Sequence, residues 1–388
     1  MKLAFFSYFF RYVFTGPNRQ RLIFLTITGL LISSFSLTVL QGIMGGLQNG
    51  LVKRSQKVSG TGYFNVERFS PEQLDTLVRD LKYKDIEFSK ELELELMLQN
   101  GNYLSPLILH GVDFDHEIPD FLKGRDLSGL ILGGQLAREV SAFYDTTVTI
   151  TSPAHTSVLL REIPRQSTSL VSDFYSSELP EIDGVHGWVR IQFVQNLIRK
   201  RKLNRIRVYS SKEKLSELFD SRPKAYSKND FVSWEKMNAT LVWALGLETK
   251  VMLFLFISMS VLIGICIVSG FLIFYNKVKV DLASFWILGL TKEKAMKLIS
   301  TFGHLLTGLF CFLGVGLGLL VLELLDSNQL VIMPEHFVER NIPVRIELEH
   351  ILTAFLVPYL ISYIFTKITF NIFKKEDTSF ISLIKKVG

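Results

Sequence analysis

Four uncharged apolar stretches constrain this chain more than any other feature of its sequence. Leu22 to Leu40, Val251 to Asn276, Leu298 to Leu322 (interrupted only by His304) and Ile351 to Thr366 contain no Asp, Glu, Lys or Arg. Each reaches or approaches the roughly 20 residues that an α-helix needs to cross about 30 Å of hydrocarbon. Between the first and the second lies a mixed, charge-bearing region of roughly 200 residues, long enough to bury a core of its own. Hydrophobic residues make up 48% of the 388 positions, and the clustering explains why. The expectation is an α-helical membrane protein with four transmembrane helices in a 1+3 arrangement and a large extracytoplasmic α+β domain.

Lys and Arg near the spans set the orientation, because basic residues are retained on the cytoplasmic side. Lys2, Arg11, Arg19 and Arg21 precede the first span, Lys277, Lys279, Lys292, Lys294 and Lys297 follow the second, and Lys374, Lys375, Lys385 and Lys386 follow the fourth. Between Asp326 and His350 only Arg340 and Arg345 stand against five acids. Both termini and the second loop are therefore expected in the cytoplasm. The expected segments are a cytoplasmic interfacial helix (1–20), spans at 21–45, 249–276, 298–325 and 349–373, and the outer domain at 46–248. A cytoplasmic loop (277–297), a short outer loop (326–348) and a cytoplasmic tail (374–388) complete the division. The first stretch lacks a small-x-small cleavage site and is too long for a signal peptide, so it reads as a retained anchor.

The net charge of +6 comes mostly from residues bordering the spans, which argues against nucleic acid; Arg199-Lys200-Arg201-Lys202 reads as a solvated helix end. Cys266 and Cys311 both fall in apolar stretches, so the outer domain is expected to fold without disulfides. The seven histidines are scattered singly and predict no metal site.

Within the domain, Thr61–Val66, Leu104–Val112, Thr147–Ile150 and Ile206–Tyr209 read as strands, and Pro71–Leu81 and Lys212–Phe219 as helices, the first opened by Ser70-Pro71. No Gly-x-Ser-x-Gly or His-Glu-x-x-His occurs, so no catalytic residue is assigned and the chain is not expected to be an enzyme. Leu132-Gly-Gly-Gln-Leu136 looks like the signature loop of an ABC ATPase, but no Gly-x-x-x-x-Gly-Lys-[Ser/Thr] accompanies it; it reads as a turn into a short helix. Ser152 to Asp183 is rich in Ser, Thr and Pro and reads as a β-hairpin or a long loop, with partner contacts open as a further use. After the second span, helical spacing sets Leu282, Phe285 and Trp286 on one face, Gly289 can end that helix and Thr291 can cap the next. This short helix suits a docking surface for another protein or, alternatively, an interfacial helix resting on lipid.

At these residues the chain resembles the type VII ABC permeases, the superfamily that includes MacB and FtsX. Asp281-Leu-Ala283-Ser-Phe-Trp-Ile-Leu288-Gly289-Leu matches the frame of their cytoplasmic motif at Asp281, Ala283, Leu288 and Gly289, and departs from it at Trp286, where Arg is usual. Within that group it is most similar to the lipoprotein-releasing permeases LolC and LolE, through Leu130-Ile-Leu-Gly133-Gly-Gln-Leu136-Ala137 and an echo at Leu40-Gln-Gly42-Ile-Met-Gly-Gly-Leu47. The usual C-terminal Pro-Ala-x-x-Ala is replaced by Ile372-Phe-Lys-Lys-Glu-Asp.

The resemblance implies a permease subunit, in the bacterial inner membrane, of a transporter that extracts lipoproteins and passes them to a periplasmic carrier. Its partners would be an ABC ATPase subunit, a second permease copy or paralogue, the lipoprotein substrate, the carrier and membrane lipids. The chain would hold no cofactor, ATP and Mg being bound by the ATPase. Asp281, Leu282, Ala283, Phe285, Trp286, Leu288 and Gly289 would form the ATPase-coupling helix. Pro153, Val158, Leu159, Leu160, Arg161, Pro164 and Arg165 would form the carrier-binding hairpin. Phe35, Leu40, Ile43, Met44, Phe254, Ile257, Val261 and Ile265 would line a lipid-sized cavity, and Gly314 and Gly318 are spaced for close helix contact. An FtsX-like mechanotransmission permease is the alternative, though that group has a much smaller outer domain; a membrane-anchored receptor or scaffold without transport is a third reading.

Overall fold

The computed structural model describes residues 7, 9–11, 21–114, 118–157, 163–220, 226–287, 289–328 and 342–375. The chain divides into two compact units, residues 50–243 and residues 1–49 together with 244–388.

Among the described residues, the second of these units carries four helices long and apolar enough to cross a membrane, with candidate spans at Phe24–Ser59, Ala239–Asn276, Glu293–Ser327 and Leu348–Ile372. The helices themselves are α1 (Arg21–Ser59), α8 (Ala239–Ile287), α9 (Lys292–Asn328) and α10 (Leu348–Lys375), with α2 to α7 lying between them in the chain. Small residues set their packing. A Cβ at Gly314 of α9 would lie 2.4 Å from the Leu31 carbonyl oxygen of α1, and one at Gly318 would lie 2.7 Å from Thr38 Cβ, so the spacing of the two glycines does mark a close contact with α1. Thr38 and Ser34, which face these glycines, are buried on α1. Phe9 is buried as well, with its ring 5.8 Å from Phe274 and 5.5 Å from Phe302, so this part of the expected interfacial helix packs on α8 and α9.

The expected short helix after the second span is not a separate element, because α8 continues without a break to Ile287. No Gly or Pro interrupts residues 271–288, so nothing in the sequence ends the helix before Gly289. Gly289 has φ +93°, and Thr291 caps α9 by accepting from the Lys294 amide at 3.4 Å.

The unit of residues 50–243 is a mixed sheet domain with nine strands among its described residues. These are β1 (Gly62–Asn65), β2 (Glu87–Asn100), β3 (Tyr103–Val112), β4 (Leu130–Gly133), β5 (Thr147–Ser157), β6 (Ile163–Tyr175), β7 (His186–Arg190), β8 (Arg205–Tyr209) and β9 (Phe231–Ser233). The order is β3-β7-β4-β6-β5-β2-β8-β1-β9, and a further β2–β3 pairing closes the first six strands into a ring. β3–β7 and β4–β6 are parallel and the remaining pairs antiparallel. Closure leaves those six strands without a free edge, and the 14-residue β2 makes the extension possible: its start pairs with β8 and its end with β5 on the same edge.

Inside the ring Leu92, Leu96, Leu98, Leu109, Val148, Ile150 and Val171 share one core, which α5 (Ile191–Ile198) covers with Val194 and Leu197. A second core lies on β8 and β1, where α2 (Pro71–Tyr83) buries Leu77 and Leu81 and α6 (Lys212–Asp220) buries Leu215 and Leu218. Each such fully buried Leu contributes about 1.5–3 kcal/mol. Ser70 caps α2 as its sequence predicts, within a capping box that includes Gln73. Leu132-Gly-Gly-Gln-Leu136 passes from β4 into the short helix α3 (Gly134–Glu139), as read from the sequence.

Candidate functional site

β5 and β6 form an antiparallel hairpin running from Thr147↔Leu170 to Ser157↔Ile163, with an irregularity between Ser152 and Thr156. The strand read at Thr147–Ile150 continues to Ser157, and of the two readings of Ser152–Asp183, a β-hairpin or a long loop, the hairpin is the one that forms; Pro153 lacks the N–H that a ladder needs, and the irregularity accommodates it. Of the carrier-binding residues, Pro153 lies on β5 and Pro164 and Arg165 on β6, while Val158, Leu159, Leu160 and Arg161 lie outside the described residues. Arg165 donates from Nη1 to the Ile198 carbonyl at 2.5 Å, which ties the hairpin to the end of α5. An open groove of about 490 Å³ there is lined by Pro164, Arg165, Phe193, Leu197 and Arg199. Arg199 ends α5 in the left-handed conformation, so Arg199–Lys202 is the solvated helix end expected. The side chain of His155 is held below its usual pKa by burial first, then by the charges of Lys200 and Arg165.

The coupling residues Asp281, Leu282, Ala283, Phe285 and Trp286 lie on the last turns of α8, and Leu288 lies outside the described residues. Among the lipid-cavity candidates, Leu40, Phe254, Ile257 and Ile265 are exposed on α1 and α8, and Phe35, Ile43, Met44 and Val261 are half-buried.

Sequence reasoning missed a buried charge cluster in the sheet domain. Glu91 and Glu93 of β2, His110 of β3, His186 of β7 and Arg205 and Arg207 of β8 meet on one side of the strands. Arg207 donates from Nε to Glu91 Oε2 and from Nη2 to Glu93 Oε2, both at 2.9 Å, and from Nη1 to the Ser59 carbonyl at 2.7 Å. Arg205 donates to Glu93 Oε2 at 2.5 Å and lies over the Tyr63 ring. His110 sets Nδ1 3.4 Å from Glu91 and Nε2 2.7 Å from His186 Nδ1, and its ring stacks on Trp188. The histidines that look isolated in the sequence are therefore paired in the fold.

Burial alone would raise the Glu91 carboxyl, but the Arg207 guanidinium and His110 hold it well below the usual carboxylate range. His186 is pushed down to about 2 by burial first, then by His110 and Arg207, so it is neutral. A cavity of about 350 Å³ opens beside the cluster, lined among others by Tyr63, His110, Glu181, His186 and Arg205. Glu91, Glu93 and His110 bring one ligand atom each within 4.8 Å of one another, a spacing open to a metal ion. The donor set fits a metal poorly, because both carboxylate oxygens facing His110 already accept from Arg207. Two carboxylates against two guanidiniums make a neutral network that joins β2, β3, β7 and β8 and holds the last residue of α1.

No protein-family model and no curated protein matches the chain.

Proposed function

We propose that the chain is the permease subunit of an ABC-type lipoprotein-releasing transporter in the bacterial inner membrane. One long apolar helix, a mixed sheet domain and three further long apolar helices, in that order, carry the reading. The hairpin supports it: β5 and β6 flank residues 158–162, within the segment that the resemblance assigns to carrier recruitment, and a basic groove lies beside it. In this account the sheet domain lies outside the cytoplasm, the end of α8 docks a separate ATPase that binds ATP and Mg, and the apolar faces of α1 and α8 receive acyl chains. The chain itself does no covalent chemistry; it binds, transmits and releases.

The test is the lipid-modified cargo. The protein purified from its native membrane in mild detergent is expected to carry an acylated lipoprotein, released on addition of ATP and Mg. A preparation that carries a cell-wall hydrolase and no lipoprotein would move the assignment to mechanotransmission.

A further inference from the structure

α9 and α10 run antiparallel, with Gly303 beside Thr366 and Gly308 beside Tyr359, so His304 of α9 and Lys367 of α10 stand at about one level. On α9, Leu305 to Leu322 carries no charge, about 27 Å of helix, and His304 stands immediately before it. On α10, Ile351 to Thr366 carries none, and Lys367 stands immediately after it. The polar side chains come together: the His304 ring stacks on that of Tyr363 with centroids 4.4 Å apart, and Lys367 follows Tyr363 by one helical turn. His304 Nδ1 is buried with no hydrogen-bond partner among the described residues, which leaves Nε2 for the ring's polar contact.

The surroundings are apolar and uncovered. Leu305 is 57% exposed and Ile364 54%, so the polar group sits in a lipid-facing strip. Lys297, two turns before His304 on α9, is also exposed. A cation, an imidazole and a phenol at the edge of a hydrocarbon-length segment match one ligand chemistry, a phosphodiester with acyl chains attached.

We propose that His304, Tyr363 and Lys367 form the headgroup seat for one anionic phospholipid on the exposed strip shared by α9 and α10. The inference rests on the membrane reading above. Lys367 supplies the charge that favours the phosphate, His304 and Tyr363 supply hydrogen bonds, and Leu305 and Ile364 contact the acyl chains. By the orientation of the basic loops this is the cytoplasmic leaflet.

The test uses the full chain purified in mild detergent, delipidated, and titrated with cardiolipin, phosphatidylglycerol or phosphatidylethanolamine, with bound lipid counted by native mass spectrometry. The two anionic lipids are expected to bind at least about five-fold more tightly than phosphatidylethanolamine, with Lys367→Gln removing most of that preference. His304→Gln is expected to weaken anionic-lipid binding, and Lys367→Arg to retain it, which separates a lost site from a misfolded chain. Equal binding of all three lipids, or an unchanged preference in Lys367→Gln, would overturn the seat. So would a dimer that covers the strip and excludes lipid. Alkaline carbonate extraction tests the membrane reading separately: a chain released into the supernatant would sink that reading, whereas one retained in the pellet without lipid preference would sink the seat alone.

Discussion

His186 Nδ1 lies 2.7 Å from His110 Nε2, across the parallel pairing of β7 with β3. The contact is compatible with one proton between the two rings and incompatible with two, and His110 Nδ1 already faces the carboxylates of Glu91 and Glu93.

The sheet domain should therefore weaken in mild acid. The pKa of His186 is lowered by the fold, so its neutral form is the one that folding favours. Its contribution is complete above the unfolded value near 6.5 and declines as pH falls below it, by at most about 1.4 kcal/mol per pH unit. Hydrogen exchange of β3 and β7 at pH 7.5 and 5.5 should show faster opening at the lower pH, and His186→Gln should flatten the difference. Equal protection at both pH values would refute the neutral assignment.

Glu91 and Arg207 should fail singly more than jointly. Arg207→Met strands a buried carboxylate and should cost about 3–5 kcal/mol, whereas Glu91→Leu combined with Arg207→Met should cost less than the sum of the two single changes. Thermal melting of the two single variants and the double measures this coupling. Glu91 adds its own acid sensitivity: its pKa is lowered by the fold, so its contribution is complete above the ordinary carboxyl value near 4.5 and is lost as pH falls below it.

Gly314→Val should loosen the membrane unit. The added side chain meets the Leu31 carbonyl, whereas one added at Gly316 meets open space. Gly314→Val is expected to lower the melting temperature in detergent and Gly316→Ala to leave it within a degree or two. Equal effects would contradict the close approach of α9 to α1.

The hairpin should depend on Arg165 for its setting. Arg165→Ala removes the bond to Ile198 and a charge from the groove, and should increase exchange of β6 near its start while leaving α2 protected. An unchanged exchange pattern would detach the hairpin from α5.

The spans were legible because bilayer thickness imposes a length that uncharged residues alone can satisfy. Ser70, Gly289 and Thr291 were legible for a local reason, since caps and turns are decided within four residues. Glu91-Leu-Glu-Leu-Glu-Leu96 shows the limit. It is not among the expected strands, and its alternation by itself would set the glutamates toward water, yet Glu91 and Glu93 are enclosed because Arg207, 116 residues away from Glu91, covers them. Such a pairing depends on strand order, which periodicity does not encode. The helical continuation of α8 past Lys277 was missed for the opposite reason: charge marked the end of a span, and nothing in the sequence marked the end of a helix.

The most direct test of the central claim is affinity purification of the tagged chain from its native membrane, with proteins identified by mass spectrometry, for the unaltered protein and Trp286→Glu. The account predicts an ABC ATPase in stoichiometric amount with the unaltered chain and its loss from the variant while the protein stays in the membrane. Absence of any ATPase from the unaltered chain would contradict the permease assignment.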